Sequence, residues 1–256
     1  MRVLALSVGN TSIRGAVFVD RRVTARFRTS VGEAATASGL ARLLAPHIRG
    51  RIDGVAICSV VPALTARITR GLERALGFRP LVLSASSECG IHIAYRRPGD
   101  LGADRLAAAL GVRDLFPGRH AIIVDCGTAT TVTALRRDGF LLGGAIMPGI
   151  DLWPKMLAAR AAQLPMAPIR KVRTAIGRSP REAIAAGVFL GHAGAVRELV
   201  SRVRTEAFGR AQALVIGTGG NAPRFADEGL FDRIEPELVL HGLRTFILRA
   251  RLTGSS

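Results

Sequence analysis

The chain opens with Val3-Leu-Ala-Leu-Ser-Val-Gly-Asn-Thr-Ser-Ile-Arg-Gly-Ala-Val-Phe18, in which an apolar strand runs into Gly9-Asn10 and a second apolar strand begins near Ile13. A glycine–asparagine pair between two such strands predicts a β-hairpin. The theme returns about half a chain later in Ala121-Ile-Ile-Val-Asp-Cys-Gly-Thr-Ala-Thr-Thr-Val-Thr-Ala-Leu135, where a β-branched strand follows a Gly-Thr turn. Two similar openings at this separation predict a duplicated fold.

Strands and helices alternate through the rest of the chain, which favours the α/β class. Residues 63–76 carry apolar side chains at helical spacing, residues 105–115 are alanine-rich, and residues 181–204 give a long helical pattern. The pattern breaks at Pro117-Gly118. We therefore expect an N-terminal lobe over 1–116 and a C-terminal lobe over 117–256, each with a sheet flanked by helices.

Size and composition indicate a globular protein. With 256 residues, of which 48% are hydrophobic, the chain can bury a substantial core. Its apolar runs, such as Val3–Leu6, are far too short to cross a bilayer, and no signal-peptide pattern opens the chain. The three cysteines form no CxxC pair, which argues against a zinc site or a disulfide framework. We expect a cytoplasmic protein without a membrane partner.

The charge balance is strongly basic. The formal net charge is +17, and nearly all of the positive charge is arginine. A field of that sign attracts phosphate-bearing partners, nucleic acid among them. The arginines are nevertheless spread through the chain, and no nucleic-acid-binding signature stands out. We therefore do not expect nucleic acid as a partner, although a basic protein that acts on nucleic acid stays an open alternative.

Three glycine-bearing turns follow apolar strands: Gly9-Asn10-Thr11, Gly127-Thr128-Ala129-Thr130-Thr131 and Gly217-Thr218-Gly219-Gly220. Each can present backbone N–H groups to an anion, because glycine lets the backbone approach closely. The sequence contains neither the Walker A pattern GxxxxGK[ST] nor the Rossmann pattern GxGxxG. The order of the turns resembles the two phosphate hairpins and the adenosine loop of the actin, sugar-kinase and Hsp70 superfamily.

A set of motifs resembles the type III pantothenate kinases along nearly the whole chain. Ser7-Val-Gly-Asn-Thr11 is similar to the family's Asp-x-Gly-Asn-Thr, and Tyr95-Arg-Arg-Pro-Gly-Asp-Leu-Gly-Ala-Asp-Arg105 is similar to its Tyr-x-x-Pro-x-x-Leu-Gly-x-Asp-Arg. The other matching segments are Ser59–Pro62, Asp125–Thr131, Gly143–Gly149, Thr218–Gly220 and Pro236–Leu243. The resemblance implies the two-lobed, duplicated, ribonuclease-H-like α/β fold of that superfamily.

The resemblance also implies a kinase that transfers the γ-phosphoryl group of ATP to pantothenate, in coenzyme A synthesis. The family is homodimeric through its second lobe, and a divalent cation (Mg²⁺) and a monovalent cation (K⁺ or ammonium) assist it. Asp104 matches the catalytic carboxylate. Arg105 is suited to hold the pantothenate carboxylate or the transferring phosphate. Asp125 would help to hold the monovalent cation.

The remaining site residues also follow from the resemblance. Pantothenate would contact Tyr95, Gly102, Ala103, Arg105 and Pro180. The nucleotide would contact Ser7, Gly9, Asn10, Thr11, Gly127, Thr128, Thr130, Thr131, Gly219 and Gly220. Structural alternatives stay open: Asp104 as the N-cap of the next helix, Tyr95 as a core residue, and the threonines as ordinary strand residues.

Two positions depart from the family pattern. Ser7 stands where the family has an aspartate that faces the phosphates and holds the metal, usually through water. Pro180 stands where the family has a threonine whose hydroxyl contacts pantothenate, and proline offers neither a hydroxyl nor an N–H. Ser179 and Thr174 are candidates to replace that hydroxyl. Two hypotheses therefore stay open: a working kinase with changed metal dependence, and a non-catalytic paralogue that binds nucleotide or pantothenate and acts through a protein partner.

Overall fold

The computed structural model describes residues 1–34, 42, 44–48 and 50–252. The chain divides into two compact units. The first unit comprises Met1–Gly118 and Leu238–Ser256, and the second comprises Arg119–Glu237.

The first unit is a sheet with helices, and β1 lies at its centre. The strand order is β3-β2-β1-β4-β5, with β1 antiparallel to β2 and parallel to β4. The elements are β1 (Arg2–Val8), β2 (Ser12–Val19), β3 (Arg22–Ser30), α1 (Val31–Ala34), β4 (Gly54–Ser59), α2 (Pro62–Leu76), β5 (Leu81–Val82), β6 (His92–Ile93), a 3₁₀ turn (Pro98–Asp100), α3 (Ala103–Leu115) and α6 (Leu238–Leu252).

Helix α2 shows how the local sequence sets an element. Pro62 occupies the first turn, where a missing N–H is tolerated, and Gly77 ends the helix in the left-handed conformation with φ 76°. Leu64, Ile68 and Leu72 recur at helical spacing and are buried in the core of this unit. The predicted helix over residues 63–76 is therefore present.

Helix α6 belongs to the first unit, and this differs from the predicted division at 116/117. It packs closely on α3, because Gly242 and Gly111 have no side chains to keep the helices apart. A Cβ at Gly242 would lie 1.7 Å from the Ala107 carbonyl oxygen. The buried Arg244 donates to the Asp20 carbonyl oxygen at 2.5 Å and to the Asp114 carboxylate at 3.1 Å. These contacts explain why the last helix is part of the unit formed by the start of the chain.

The second unit repeats the arrangement of the first. Its strands follow the order β11-β10-β7-β8-β9, with β7 antiparallel to β8 and parallel to β10. The elements are β7 (His120–Cys126), β8 (Ala129–Leu135), β9 (Phe140–Pro148), α4 (Leu152–Arg160), α5 (Pro180–Phe208), β10 (Ala213–Thr218), a 3₁₀ turn (Ala222–Glu228) and β11 (Arg233–Ile234).

Helix α5 covers one face of the second unit's sheet. Val188, Phe189 and Val196 are buried in the same core cluster as Ile122 and Val132 of the strands. By length and composition α5 is long and apolar enough to cross a membrane, but half of its most apolar window is buried within the structure. A buried core helix passes the same test of length and composition.

The two units share one connectivity. In each, an antiparallel meander of three strands is followed by a strand that pairs in parallel with the first, and a further strand extends that edge. The predicted duplicated α/β fold is therefore present. The repeat places the turns after β1 and after β7 at equivalent points of their units.

Candidate active site

The first hairpin presents a short, exposed turn. The N–H of Gly9 donates to the Ser12 carbonyl oxygen at 3.0 Å, which closes the turn. Asn10 and Thr11 are exposed, and the Thr11 carbonyl oxygen accepts the Val31 N–H at 3.1 Å. The turn thus presents Asn10 and Thr11 at the surface, while the backbone around them is held by its neighbours.

Ser7 lies just before this turn in a cluster of four polar side chains. Its side chain is 8% exposed, and it is paired with Arg14 on β2 and with Cys58 on β4. Burial raises the pKa of the Cys58 thiol to about 12. The hydrogen bond with Ser7 and the positive charge of Arg14 lower this pKa, whereas the negative charge of Asp104 raises it. The thiol is therefore neutral, and Ser7, Arg14 and Asp104 share one neighbourhood.

The start of α3 holds the predicted catalytic pair. Gly102, not Asp104, is the N-cap residue, and Asp104 is the second residue of the helix. The Asp104 Oδ1 accepts the backbone N–H of Arg105 at 2.8 Å. A Cβ at Gly102 would lie 2.5 Å from the same oxygen, so glycine leaves the space that the carboxylate occupies. The N-cap alternative for Asp104 is therefore wrong. Ala103, another predicted pocket residue, is the first residue of the helix and is half-buried.

Arg105 is held by Tyr95. The guanidinium donates to the Tyr95 hydroxyl at 2.6 Å, and its carbon lies 5.6 Å from the centre of the Tyr95 ring. Both side chains are half-buried. A guanidinium has five N–H donors, so most of its donors remain for an anion. The structure therefore brings Tyr95, Gly102, Asp104 and Arg105 together, as the sequence predicted for one pocket.

The second hairpin is anchored by backbone contacts around its turn. The Gly127 N–H donates to the Ala129 carbonyl oxygen at 3.1 Å, and the Gly149 N–H donates to the Thr128 carbonyl oxygen at 3.0 Å. A Cβ at Gly149 would come within 2.3 Å of the Gly127 carbonyl oxygen. The Pro148-Gly149 element thus packs directly beneath the turn, and Thr128 is exposed above it.

Thr130 and Thr131 have different environments. Thr131 is half-buried and pairs with Asp125 across β7 and β8. Thr130 is 1% exposed, and its hydroxyl lies 3.2 Å from Nε2 of His192 on α5. The observed contact of Thr130 therefore joins the hairpin to the helix behind it.

His192 is a buried residue to which the sequence assigned no role. Its ring is fully buried, stacks on Phe225 and meets Trp153 edge-on. Burial lowers the pKa of His192 to about 4, against a smaller opposing effect of the Asp151 charge. A neutral imidazole therefore supports the second hairpin. Sequence reasoning missed it because the contact joins positions 62 residues apart.

The third turn fits closely over Asp125. Gly219 has φ 83°, and a Cβ there would lie 2.2 Å from the Asp125 Oδ1. Glycine is therefore required at this position by both conformation and space. The exposed Gly220 follows, and the buried Asn221 donates its backbone N–H to the Cys126 carbonyl oxygen at 3.0 Å. The turn after β10 is thereby tied to the hairpin after β7.

Asn221 also ties the turn to the segment after β9. Its Nδ2 donates to the Asp151 carboxylate at 2.7 Å, and its Oδ1 accepts from Arg224 at 2.8 Å. Neither Asn221 nor Asp151 was predicted from the sequence, although Asn221 directly follows the recognised Gly219-Gly220 pair. Three turns of the second unit thus form one hydrogen-bonded group.

The residues around Asp125 are suited to a hard cation. Thr218 pairs with Asp125 in the parallel register of β10 and β7, and its buried hydroxyl has no hydrogen-bond partner among the residues described. Carboxylate and hydroxyl oxygens are ligands that such cations accept. Within the described ranges no group of three or more His, Cys, Asp and Glu side chains is arranged to hold a metal by itself. A cation here would therefore need oxygens from a ligand as well.

Comparison with known proteins decides the family. The sequence profile of the type III pantothenate kinases matches residues 3–202. A type III pantothenate kinase from Legionella pneumophila (strain Paris) is 38% identical over 248 residues, which cover 94% of this chain and 96% of the relative. One from Moorella thermoacetica is 36% identical over 249 residues, covering 94% and 97%. This chain belongs to the type III pantothenate kinase family.

Solved structures agree on the fold of this family member. A Baf family protein from Campylobacter jejuni aligns with a TM-score of 0.63 at 17% identity, covering 97% of this chain and 99% of that one. The ROK hexokinase from Thermus thermophilus aligns with a TM-score of 0.54 at 18% identity, covering 98% and 100%. At these identities the likeness concerns the fold alone. It confirms the predicted fold of the actin and sugar-kinase superfamily.

The second departure from the pantothenate kinase pattern has a structural role of its own. Pro180 is the first residue of α5, and Ser179 caps the helix by accepting the Glu182 N–H at 3.3 Å. Glu182 in turn accepts the N–H of Arg178, the residue before the cap, at 2.8 Å, which ties the preceding segment to the first turn of the helix. The Thr174 hydroxyl oxygen accepts the Ile176 N–H at 3.2 Å. Both candidate replacement hydroxyls therefore have an occupied acceptor but can still donate.

Proposed function

We propose that this chain phosphorylates pantothenate with ATP. The observation that carries the proposal is the group at the start of α3, where Arg105 is fixed by Tyr95 and Asp104 by the Arg105 backbone. These contacts hold the Arg105 guanidinium, which can bind a substrate carboxylate, beside the Asp104 carboxylate before any ligand binds. Pantothenate has a carboxylate and a primary hydroxyl, which are the two groups that such a pair recognises.

Asp104 would act on the acceptor hydroxyl. One of its oxygens is held by the Arg105 N–H, which leaves Oδ2 to accept the hydroxyl hydrogen bond and orient the attacking oxygen. Phosphoryl transfer passes through a loose transition state, so the base mainly positions the hydroxyl and takes its proton late. The free donors of Arg105 would hold the substrate carboxylate and so place the hydroxyl at Asp104.

The glycine turns would bind the nucleotide. The Gly9–Thr11 turn of the first unit and, by itself, the Gly127–Thr131 hairpin of the second are each suited to phosphate oxygens. The Gly219-Gly220 turn is suited to approach the adenosine. A divalent cation bound with ATP would neutralise phosphate charge. Asp125 with Thr218 is the oxygen pair at which we place the family's monovalent cation.

Ser7 changes the electrostatics of the first hairpin. The family's carboxylate is absent, and the side chain paired with Ser7 across β1 and β2 is that of Arg14. Arg14 is half-buried, and it has no hydrogen bond or ion pair with the described residues. We infer that Arg14 contacts phosphate oxygens directly, so that phosphate binding at this hairpin depends less on the divalent cation.

The active form would be a homodimer. The second unit exposes large apolar side chains on β9, on α4 and in the segment between α4 and α5. These side chains are Ile146, Met156, Leu157, Met166 and Ile176. A second copy of this unit would remove them from water. Sedimentation of the purified protein as a monomer at micromolar concentration would contradict this assignment.

A non-catalytic paralogue is the second candidate, because Ser7 and Pro180 both remove groups that the family uses. A single assay, ATP turnover with pantothenate, Mg²⁺ and K⁺, distinguishes the two candidates. A working kinase turns over, whereas a paralogue binds ATP or pantothenate without turnover.

Asp104→Asn tests the proposed chemistry. Asparagine can still accept the Arg105 N–H, so the melting temperature and ATP affinity should stay near those of the parent. Turnover should fall by about 10²-fold or more, because the base and its charge are lost. The matched control is Asp100→Asn, which removes an exposed carboxylate from the preceding 3₁₀ turn and should leave turnover unchanged. Retained turnover in Asp104→Asn would remove Asp104 from the mechanism.

A further inference from the structure

The second unit contains a cleft that the kinase reaction does not use. Its volume is about 510 Å³, within the range of small-molecule sites. Four arginines and one aspartate are the charged residues that line it: Arg119, Arg204, Arg210, Arg233 and Asp232.

The cleft lies at the opposite end of the sheet from the phosphate hairpin. Its lining includes Arg119, just before β7, and Ala213, the first residue of β10, whereas Asp125 and Thr218 are near the carboxyl ends of the same strands. At roughly 3.3 Å per residue, Arg119 and Asp125 are about 20 Å apart along β7. A ligand in the cleft would therefore not occupy the phosphate hairpin.

Positive charge in the cleft is largely uncompensated. The side chains of Arg119, Arg204 and Arg210 make no hydrogen bond or ion pair with any residue that the structure describes. The one acidic group in the lining, the Asp232 carboxylate, accepts the Val215 N–H at 2.7 Å and offsets one of the four positive charges. Arg233 donates to the Asp232 carbonyl oxygen at 2.7 Å and keeps its other donors.

A helix C-terminus alone does not explain this group. Cations are favourable at the C-terminal end of a helix, which accounts for Arg210 just beyond α5, whereas Arg204 lies before the last turn of that helix. Arg119 and Arg233 come from separate segments, before β7 and within β11. Four guanidinium groups from three parts of the chain thus line one concave surface, where a bound anion would reduce their mutual repulsion.

We propose that this cleft binds a small polyphosphate. Several arginine forks in one concavity suit phosphate oxygens, which each fork can hold in bidentate fashion. The residues that line the cleft, all of them within the described part of the chain, include no aromatic side chain, so a base would find no aromatic ring on which to stack. A compact chain of phosphates therefore matches the site better than a nucleobase or a nucleic acid strand.

Calorimetric titration with inorganic tripolyphosphate tests the proposal. The protein is first saturated with a non-hydrolysable ATP analogue, so that the hairpins are occupied. The cleft variant is Arg119→Gln/Arg204→Gln/Arg210→Gln. The matched control is Arg67→Gln/Arg70→Gln/Arg74→Gln, which removes the same charge from exposed positions of α2. Comparing the two variants separates a site from the general attraction of a basic protein for polyanions.

The cleft variant should bind tripolyphosphate at least about tenfold more weakly than the parent, because charge-assisted contacts are lost. The α2 variant should stay within about twofold of the parent, and both should keep the parent's melting temperature and basal turnover. Equal weakening in the two variants, or no saturable binding by the parent, would overturn the proposal. It would also be overturned if the cleft variant lost affinity for a single-stranded RNA oligomer but not for tripolyphosphate.

Discussion

The hairpins that begin the two units share a topology and differ in charge. In each, the residue two positions before the turn glycine is the second-to-last residue of a strand that pairs antiparallel with the next strand and parallel with a later one. That residue is Ser7 in the first hairpin and Asp125 in the second. Its antiparallel partner is Arg14 in the first and Thr131 in the second. One hairpin therefore offers a cation to a ligand, and the other offers a carboxylate.

We infer from this difference a division of labour within the duplicated fold, in which the two hairpins bind different parts of the ligand. A basic first hairpin suits direct contact with phosphate oxygens, whereas an acidic second hairpin suits a cation that accompanies them. The supports differ as well. Ser7 packs beside the buried Cys58, while the second hairpin is backed by His192 through Thr130.

Removing the remaining carboxylate should have the largest effect. Asp125→Asn preserves shape but removes the charge that the second hairpin offers to a cation, so turnover should fall by about 10²–10³-fold. The loss should be accompanied by a higher Mg²⁺ or K⁺ requirement in steady-state assays. Asp138→Asn, an exposed carboxylate in the β8–β9 turn paired with Arg136, serves as the control. Unchanged turnover in Asp125→Asn would end the proposed division of labour.

The support behind the second hairpin should show as a pH effect on stability. Burial lowers the pKa of His192 from its ordinary 6.5 to about 4. Between these values the unfolded chain binds a proton that the folded chain does not, so the free energy of unfolding falls as pH decreases. The loss should reach at most about 3 kcal/mol near pH 4.

His192→Gln isolates that contribution, because glutamine does not titrate and can still hydrogen-bond to Thr130. The free energy of unfolding can be measured with denaturant at several pH values. Between pH 6.5 and pH 4 it should decrease less for the variant than for the parent. The carboxylates are common to both proteins and cancel in the difference. Parallel curves for the two proteins would mean that His192 binds protons equally in the folded and unfolded states, so that burial does not lower its pKa.

Restoring the first hairpin's carboxylate should have the smallest effect of the three. Ser7→Asp should raise turnover by about tenfold and make it more dependent on Mg²⁺, since a positioned charge is regained. The gain is limited because the new carboxylate would also attract Arg14 on the neighbouring strand. Ser7→Asn, similar in shape and uncharged, is the control. Equal activity of all three proteins would show that the first hairpin's charge does not govern the rate.

The sequence by itself determined the local elements and the family. A short apolar strand and a glycine turn are specified by neighbouring residues, so both hairpins were visible without the structure. The motif from Tyr95 to Arg105 could be read in the same way, and the structure places these residues in one group. Local spacing is enough when the interacting residues lie on one turn or one short segment.

Only the tertiary structure decided which distant segments support those elements. The position of α6 in the first unit depends on Gly242 and Arg244 meeting residues more than a hundred positions earlier. Two further contacts join segments whose proximity the sequence pattern does not predict. Thr130 contacts His192, and Gly219 packs against Asp125. The arginines of the cleft look scattered in the sequence, because their proximity arises only when the ends of β7, β10 and α5 come together in the folded unit.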